Sequence, residues 1–252
     1  MSAVSNDPVL LLHGQPGAAT DWQRLRAALS NGVRTIAIDR PGWDGRSRVT
    51  DLAGNAEAAL SALDGAGAAR ATVVGHSLGA AVAAWLAGLA PARVGRLVLV
   101  APAANLDSLG PIDYLLAAPV VGWLAGVGAM AGGGLALGAG PVRRWVAEAT
   151  ALDDRYLQTA GRMLLTPAAW RSFVREQRCL VRDLPALERR LPGIAAPTTI
   201  VAGTGDHVVP IAAARRLRTQ IPGAELVEVE HAGHLLHVQQ AGRLAEVVLS
   251  RS

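Results

Sequence analysis

Gly75-His76-Ser77-Leu78-Gly79 follows the apolar run Ala71-Thr72-Val73-Val74 and precedes the helical-looking Ala80-Ala81-Val82-Ala83-Ala84-Trp85-Leu86. A G-x-S-x-G between a strand and a helix predicts a turn too tight for relaxed backbone. Glycines two residues to either side of the serine leave room for strand and helix to meet. Such a turn lifts the Ser77 hydroxyl out of a sheet and aims the Leu78 N–H at a reacting oxygen. The competing reading is a plain structural turn; the strand before and the helix after favour a nucleophile.

Outward from this turn, five further apolar runs read as strands: Val9–Leu12, Arg34–Ile38, Arg96–Val100, Thr198–Ala202 and Glu225–Val229. Most are bounded by Gly or Pro. Helical stretches lie between them, at Asp21–Leu29, Asn55–Leu63, Ala80–Leu89, Ala212–Gln220 and Gln240–Leu249. The alternation predicts an α/β fold with a mostly parallel sheet covered by helices on both faces. In such sheets ligands gather at the carboxyl ends of the strands.

One interval breaks the pattern. Residues 104–197 show no convincing strand, and Asp153–Leu165 and Pro167–Leu180 read as helices. We expect a core formed by residues 1–103 and 198–252, with 104–197 inserted as a helical cap. Leu115–Val142 carries no charge, and its length alone would permit a membrane span. Pro119, the run Gly132-Gly133-Gly134 and a position between two halves of a sheet favour cap helices instead. The same apolarity admits contact with a membrane surface, and predicts that the stretch lines an apolar pocket.

A serine hydroxyl needs a base to take its proton, and that base needs an orienting partner. After such a turn the expected order is Asp or Glu, then His. Gly203-Thr204-Gly205-Asp206 ends one strand, and Asp206 either orients the base or caps the helix beginning near Pro210. His231-Ala232-Gly233-His234-Leu235-Leu236-His237 follows the last strand. His234 is the expected base, His231 its nearest competitor, and His237 reads as structural. Leu11-Leu12-His13-Gly14-Gln15-Pro16-Gly17 ends the first strand, and there the Gln15 N–H is the expected partner of Leu78 N–H around an oxyanion.

Composition narrows the partners. The chain has 252 residues, 51% of them hydrophobic, ample for a sizeable core. All 24 basic residues are arginine, and net charge is only +4. The high isoelectric point, ≈ 10.4, therefore reflects a few surplus arginines, and no basic run is interleaved with aromatics. A solvated surface is expected, without nucleic-acid binding. The single cysteine, Cys179, excludes an internal disulfide and reads as an apolar filler. Met1–Pro8 lacks the apolar stretch of a signal peptide, which points to the cytoplasm.

Taken together, His13–Gly17, Asp39-Arg40-Pro41-Gly42-Trp43-Asp44-Gly45-Arg46-Ser47, Gly75–Gly79, Gly203–Asp206 and Gly233-His234 resemble the α/β-hydrolase fold superfamily over nearly the whole chain. The likeness is greatest to esterase and lipase-like members with an inserted helical cap. It implies Ser77 as nucleophile, Asp206 as orienting acid, His234 as base, and no metal or organic cofactor. The implied substrate is a small, apolar ester or thioester. The same triad serves carbon–carbon bond hydrolases, lyases and haloperoxidases, and the fold also serves small-ligand receptors without catalysis. An Asp nucleophile, as in epoxide hydrolases, is argued against by Ser77, so Tyr114 and Tyr156 in the cap are set aside as coincidence.

Three departures accompany the resemblance. The two-stranded hairpin that usually opens the fold has no room before Val9, which would leave the Arg34–Ile38 strand near a sheet edge. Asp44 is an extra residue in the Pro-Gly-x-Gly pattern. Leu235 stands where carbon–carbon hydrolases often carry tryptophan, which lowers that reading. Oligomeric state is not legible in the sequence.

Overall fold

The computed structural model of the chain describes residues 7–29 and 32–250. Six strands, β1 (Val9–Leu12), β2 (Thr35–Ile38), β3 (Ala71–His76), β4 (Val94–Val100), β5 (Thr198–Gly203) and β6 (Glu225–Val229), form one parallel sheet in the order β2-β1-β3-β4-β5-β6. The described helices are α1 (Gln23–Ala28), α2 (Leu52–Gly65), α3 (Leu78–Leu89), α4 (Pro111–Ala117), α5 (Val121–Gly138), α6 (Gly140–Thr150), α7 (Asp154–Leu164), α8 (Pro167–Glu188), α9 (Ile211–Gln220), α10 (Leu236–Gln239) and α11 (Ala241–Leu249). A 3-10 turn, Ala19–Trp22, leads into α1.

Alternation along each strand divides the core into two. Leu10, Leu12, Val73, Leu97, Leu99 and Ile200 point to one face, under α2, α3, α9 and the second half of α8. Val9, Leu11, Val74, Val98, Val100 and Val201 point to the other, where they meet Trp22 and Leu25 before and within α1, and Leu244 and Val248 of α11. A strand buried on both faces has no polar side, which is why these runs are continuously apolar. Each fully buried Leu or Val contributes about 1.5–3 kcal/mol.

Strand order positions the chemistry. The chain leaves β1 toward β2 on one side, then returns to place β3 on the other. The loop after β1 and the turn after β3 therefore share a crevice at the carboxyl ends of adjacent strands. Among the described strands β2 lies at an edge of the sheet, as expected. The extra Asp44 closes its loop locally, its Oδ1 accepting from the Arg46 and Ser47 N–H groups at 2.9 and 2.8 Å.

Between β4 and β5 the regular elements are all helical, from α4 to α8, joined by turns. α5 packs against α4, α7 and α8 through small residues. A Cβ at Gly126 would lie 2.9 Å from Val174 of α8, and one at Gly134 would lie 2.7 Å from Leu165. Gly122, Gly126, Met130 and Gly134 are buried at four-residue spacing, while Val121, Leu124 and Leu135 face outward. The helix is long and apolar enough to cross a membrane by length and composition, with mean hydropathy 1.4, but its inner face is spent on its neighbours. α8 runs beyond the expected end at Leu180, through Pro185, because Leu180, Leu184 and Leu187 all enter the core.

Candidate active site

Ser77 joins β3 to α3 with φ +53° and ψ −120°, a region that L-residues rarely occupy and that costs roughly 1–3 kcal/mol. Its surroundings hold it there. The Ser77 N–H donates to the Val100 carbonyl at 2.9 Å, and the Ser77 carbonyl accepts from Ala80 and Ala103. A Cβ on Gly75 would lie 2.3 Å from the Gly79 carbonyl oxygen, and one on Gly79 would lie 2.2 Å from that of Leu12. Both contacts are with backbone, so only glycine fits either side of the serine. Leu78 is the first residue of α3, where an N–H has no intrahelical acceptor.

The loop after β1 presses on this turn from the side. A Cβ on Gly14 would lie 2.7 Å from His76 Nδ1 and 3.1 Å from Ser77 Cβ. Gln15 is tied to α8, its Nε2 donating to the Phe173 carbonyl at 3.3 Å and to Gln177 Oε1 at 3.1 Å. Gln177 in turn donates to Asp113 of α4 at 2.9 Å. Among the described residues no acceptor takes up the Gln15 N–H.

Asp206 and His234 come together from the ends of β5 and β6. His234 Nδ1 donates to Asp206 Oδ2 at 2.8 Å, with the Asp206 side chain 1% exposed. The other oxygen, Oδ1, accepts from the Val208 and Val209 N–H groups at 2.8 and 2.9 Å. The two readings of Asp206, orienting acid and turn cap, are thus both realised, one by each oxygen. A bond from Nδ1–H to a carboxylate leaves Nε2 as the acceptor. His76 Nε2 donates to the His234 carbonyl at 2.9 Å, so the residue before Ser77 anchors the backbone of His234. The Ser77 hydroxyl is not among the hydrogen-bond partners of His234.

The other histidines separate clearly. His231 is exposed with φ +58°, and its N–H donates to Thr204 Oγ1. His237 is buried, its ring 3.8 Å from that of His76 and 5.1 Å from Trp22. Burial pushes its pKa down to about 3, and holds His76 and His13 well below the ordinary histidine range. Burial likewise raises the Cys179 thiol, which disfavours its thiolate.

A cavity of ≈ 930 Å³ opens beside His234, His76 and Gln15. α7 contributes Leu157, Ala160, Met163 and Leu164 to its apolar wall, the largest share from one element. Of the uncharged stretch expected to line it, only Leu137 does so, and Leu124 is 67% exposed. The sequence could not reveal this, because α5 is apolar all round and has no preferred side. Tyr156 lines the cavity, whereas Tyr114 is exposed. The sequence reading also missed Asp21 and the ion pair of Arg24 with Asp153 at 2.7 Å, all of which border the cavity. Asp21 carried a signal, standing three residues after Ala18, whose N–H its Oδ2 accepts at 2.9 Å. Burial raises its pKa to about 6.

Comparison with known proteins finds hydrolases of the same fold. A 2-hydroxy-6-oxononadienedioate/2-hydroxy-6-oxononatrienedioate hydrolase of Pseudomonas putida is 30% identical, aligned over 96% of this chain and 86% of its own. The proposed carbamate hydrolase RutD of Variovorax paradoxus is 32% identical over 93% of this chain and 87% of its own. The crystal structure of a hydrolase from Pseudomonas aeruginosa PA01 superposes with a TM-score of 0.71 at 26% identity, covering 99% of this chain and 92% of that one. A family model matches residues 9–247, which span all six strands and every residue of the site above. On that match, and on a serine turn that only its flanking glycines permit, the chain belongs to the alpha/beta hydrolase family.

Proposed function

We propose that the chain is a serine hydrolase that cleaves a carboxylic ester or thioester of a small, largely apolar substrate through an acyl-enzyme. The observation that carries this reading is the Asp206–His234 hydrogen bond, with His234 lining the cavity and its carbonyl held by His76, the residue before the strained Ser77. His234 Nε2 takes the Ser77 proton as Oγ attacks the carbonyl carbon. The N–H groups of Gln15 and Leu78, neither bonded to another group among the described residues, receive the oxyanion. His234 then protonates the leaving group, and activates water to release the acyl group.

Residues 104–197 act in this reading as the cap. α7, with Leu137 of α5, walls the acyl pocket, while the end of α8 anchors the cap in the core. The cavity volume suits a whole small molecule, and its aliphatic wall suits an acyl or alcohol chain.

The identity to the oxononadienedioate hydrolase favours a second reading, carbon–carbon bond hydrolysis by the same residues. That relative acts, by its name, on a dicarboxylate. Here Arg24 is bound to Asp153, and the cavity's other charges, Arg155 and Asp21, balance. The cavity thus has no net positive charge for a dianion, which supports the neutral ester. A chain-length series of nitrophenyl esters and acyl thioesters, run beside a 2-hydroxy-6-oxo-dienoate, separates the two. Ester turnover rising from acetate to a medium chain is the expected result. Cleavage of the dienoate alone would replace this reading with the second, and binding without turnover would indicate a receptor.

A further inference from the structure

The loop after β2 contributes a fully buried arginine for which the acyl-transfer chemistry has no direct use. Arg40 Nη2 donates to the Gly14 carbonyl at 2.9 Å, and Nε donates to the His13 carbonyl at 2.8 Å. The Arg40 backbone N–H donates to His13 Nε2 at 3.0 Å, which leaves His13 Nδ1–H to donate to the same Gly14 carbonyl at 2.8 Å. On its far side the guanidinium pairs with Glu176 of α8, both side chains being 1% exposed. Asn55 of α2 accepts from Nη1 at 3.2 Å, and Trp43 Nε1 donates to Glu176 Oε2 at 2.8 Å.

The Gly14 carbonyl and the Gln15 N–H belong to one planar peptide unit. In a trans peptide the two point in opposite directions. Whatever holds the carbonyl therefore aims the N–H. Glycine at position 14 places no Cβ in the way of a peptide flip, so this direction needs an external constraint. Arg40 and His13 grip the carbonyl from beneath, and the N–H is left facing the site.

We propose that Arg40 is a positioning residue: by holding the Gly14 carbonyl it directs the Gln15 N–H toward the oxyanion, and Glu176 on α8 holds Arg40 in place. The link also ties the helical insertion to the reacting centre, since Glu176 and the Gln15 partners Phe173 and Gln177 lie on one helix. The role in catalysis rests on the acyl-transfer reading above; the role in orienting the peptide does not.

Arg40→Lys tests both. Lysine keeps a positive charge against Glu176, but its single ammonium cannot span two carbonyls and a carboxylate. With a nitrophenyl ester we expect kcat to fall about ten- to a hundred-fold while KM changes less than about three-fold, because a misaimed donor weakens only the transition state. Fluorophosphonate labelling should still reach full stoichiometry, which a collapsed or partly folded protein would not show. Independently of any substrate, 15N relaxation dispersion at the Gln15 amide should appear in the variant and be absent from the wild type. If the wild type neither labels nor turns over esters, the acyl-transfer reading fails and the dispersion still decides the orienting role. If Arg40→Lys does not fold, Glu176→Gln, which keeps the shape but loosens the grip, decides by the same readouts with a smaller kcat loss. A folded, fully labelled variant with wild-type kcat and no dispersion would overturn the proposal.

Discussion

Replacing Asp206 by asparagine separates its two roles. In the native protein Oδ1 holds the turn through Val208 and Val209, and Oδ2 accepts from His234 Nδ1. An asparagine keeps its carbonyl oxygen on the two backbone donors, since an NH2 group there would face N–H groups. Its NH2 is then directed at His234 Nδ1. That nitrogen must become the acceptor, so the ring proton moves to Nε2, and the base can no longer take the serine proton. A wrong tautomer of this kind costs about ten-thousand-fold in kcat, or about 5 kcal/mol of barrier, with the geometry otherwise intact. Ester turnover by Asp206→Asn should therefore fall by about that factor, with a thermal midpoint near wild type. Asp206→Ala, which also releases both turn N–H groups, should lose the same activity and, in addition, about 1–3 kcal/mol of stability. A folded Asp206→Asn enzyme retaining a tenth or more of the wild-type kcat would refute the tautomer argument.

Three further outcomes follow from the geometry. His234→Ala should lose orders of magnitude more turnover than His231→Ala, because His231 is exposed and carries its contact through backbone; the reverse ranking in steady-state kinetics would reassign the base. Gly79→Ala should destabilise the fold by about 3 kcal/mol or more in urea titrations, since the new methyl meets backbone carbonyls that cannot move independently; a neutral change would show the turn to be loose. Acid should destabilise the protein before any carboxylate network fails: the unfolded chain binds protons at His13, His76 and His237 near pH 6.5 and the folded chain does not, so stability is full above that value and falls as pH drops through it. At pH 5 the loss from His237 is about 2 kcal/mol, His13 and His76 add to it in the same direction, and Asp21, whose raised pKa acts in the opposite sense between about 4 and 6, partly offsets it. An unchanged urea midpoint between pH 7 and pH 5 would contradict the buried neutral histidines.

The strands were legible because strands buried on both faces are short, uniformly apolar and stopped by glycine or proline, as at Leu12 before His13-Gly14 and Val100 before Ala101-Pro102. Element ends were less legible. The helix expected to end at Leu180 continues through Pro185 to Glu188, because burial of Leu184 and Leu187 outweighs one lost hydrogen bond. The candidate residues of the site were recognisable from local signatures around Ser77, Asp206, His234 and Gln15. The cavity wall was not, because a helix such as α5, apolar all round, carries no period to say which side faces in. Arg40 and Glu176, 136 positions apart, have no local pattern that announces their pairing.

The most direct measurement is covalent. Incubating the protein with a fluorophosphonate and mapping the adduct by peptide mass spectrometry asks whether Ser77 is an activated nucleophile. One phosphonyl group should appear, on the peptide containing Ser77, with ester turnover falling in proportion to labelling. Ser77→Ala should take up no label and lose roughly a million-fold in turnover. An unlabelled wild-type protein, a label on another residue, or ester turnover undiminished in Ser77→Ala would contradict the account.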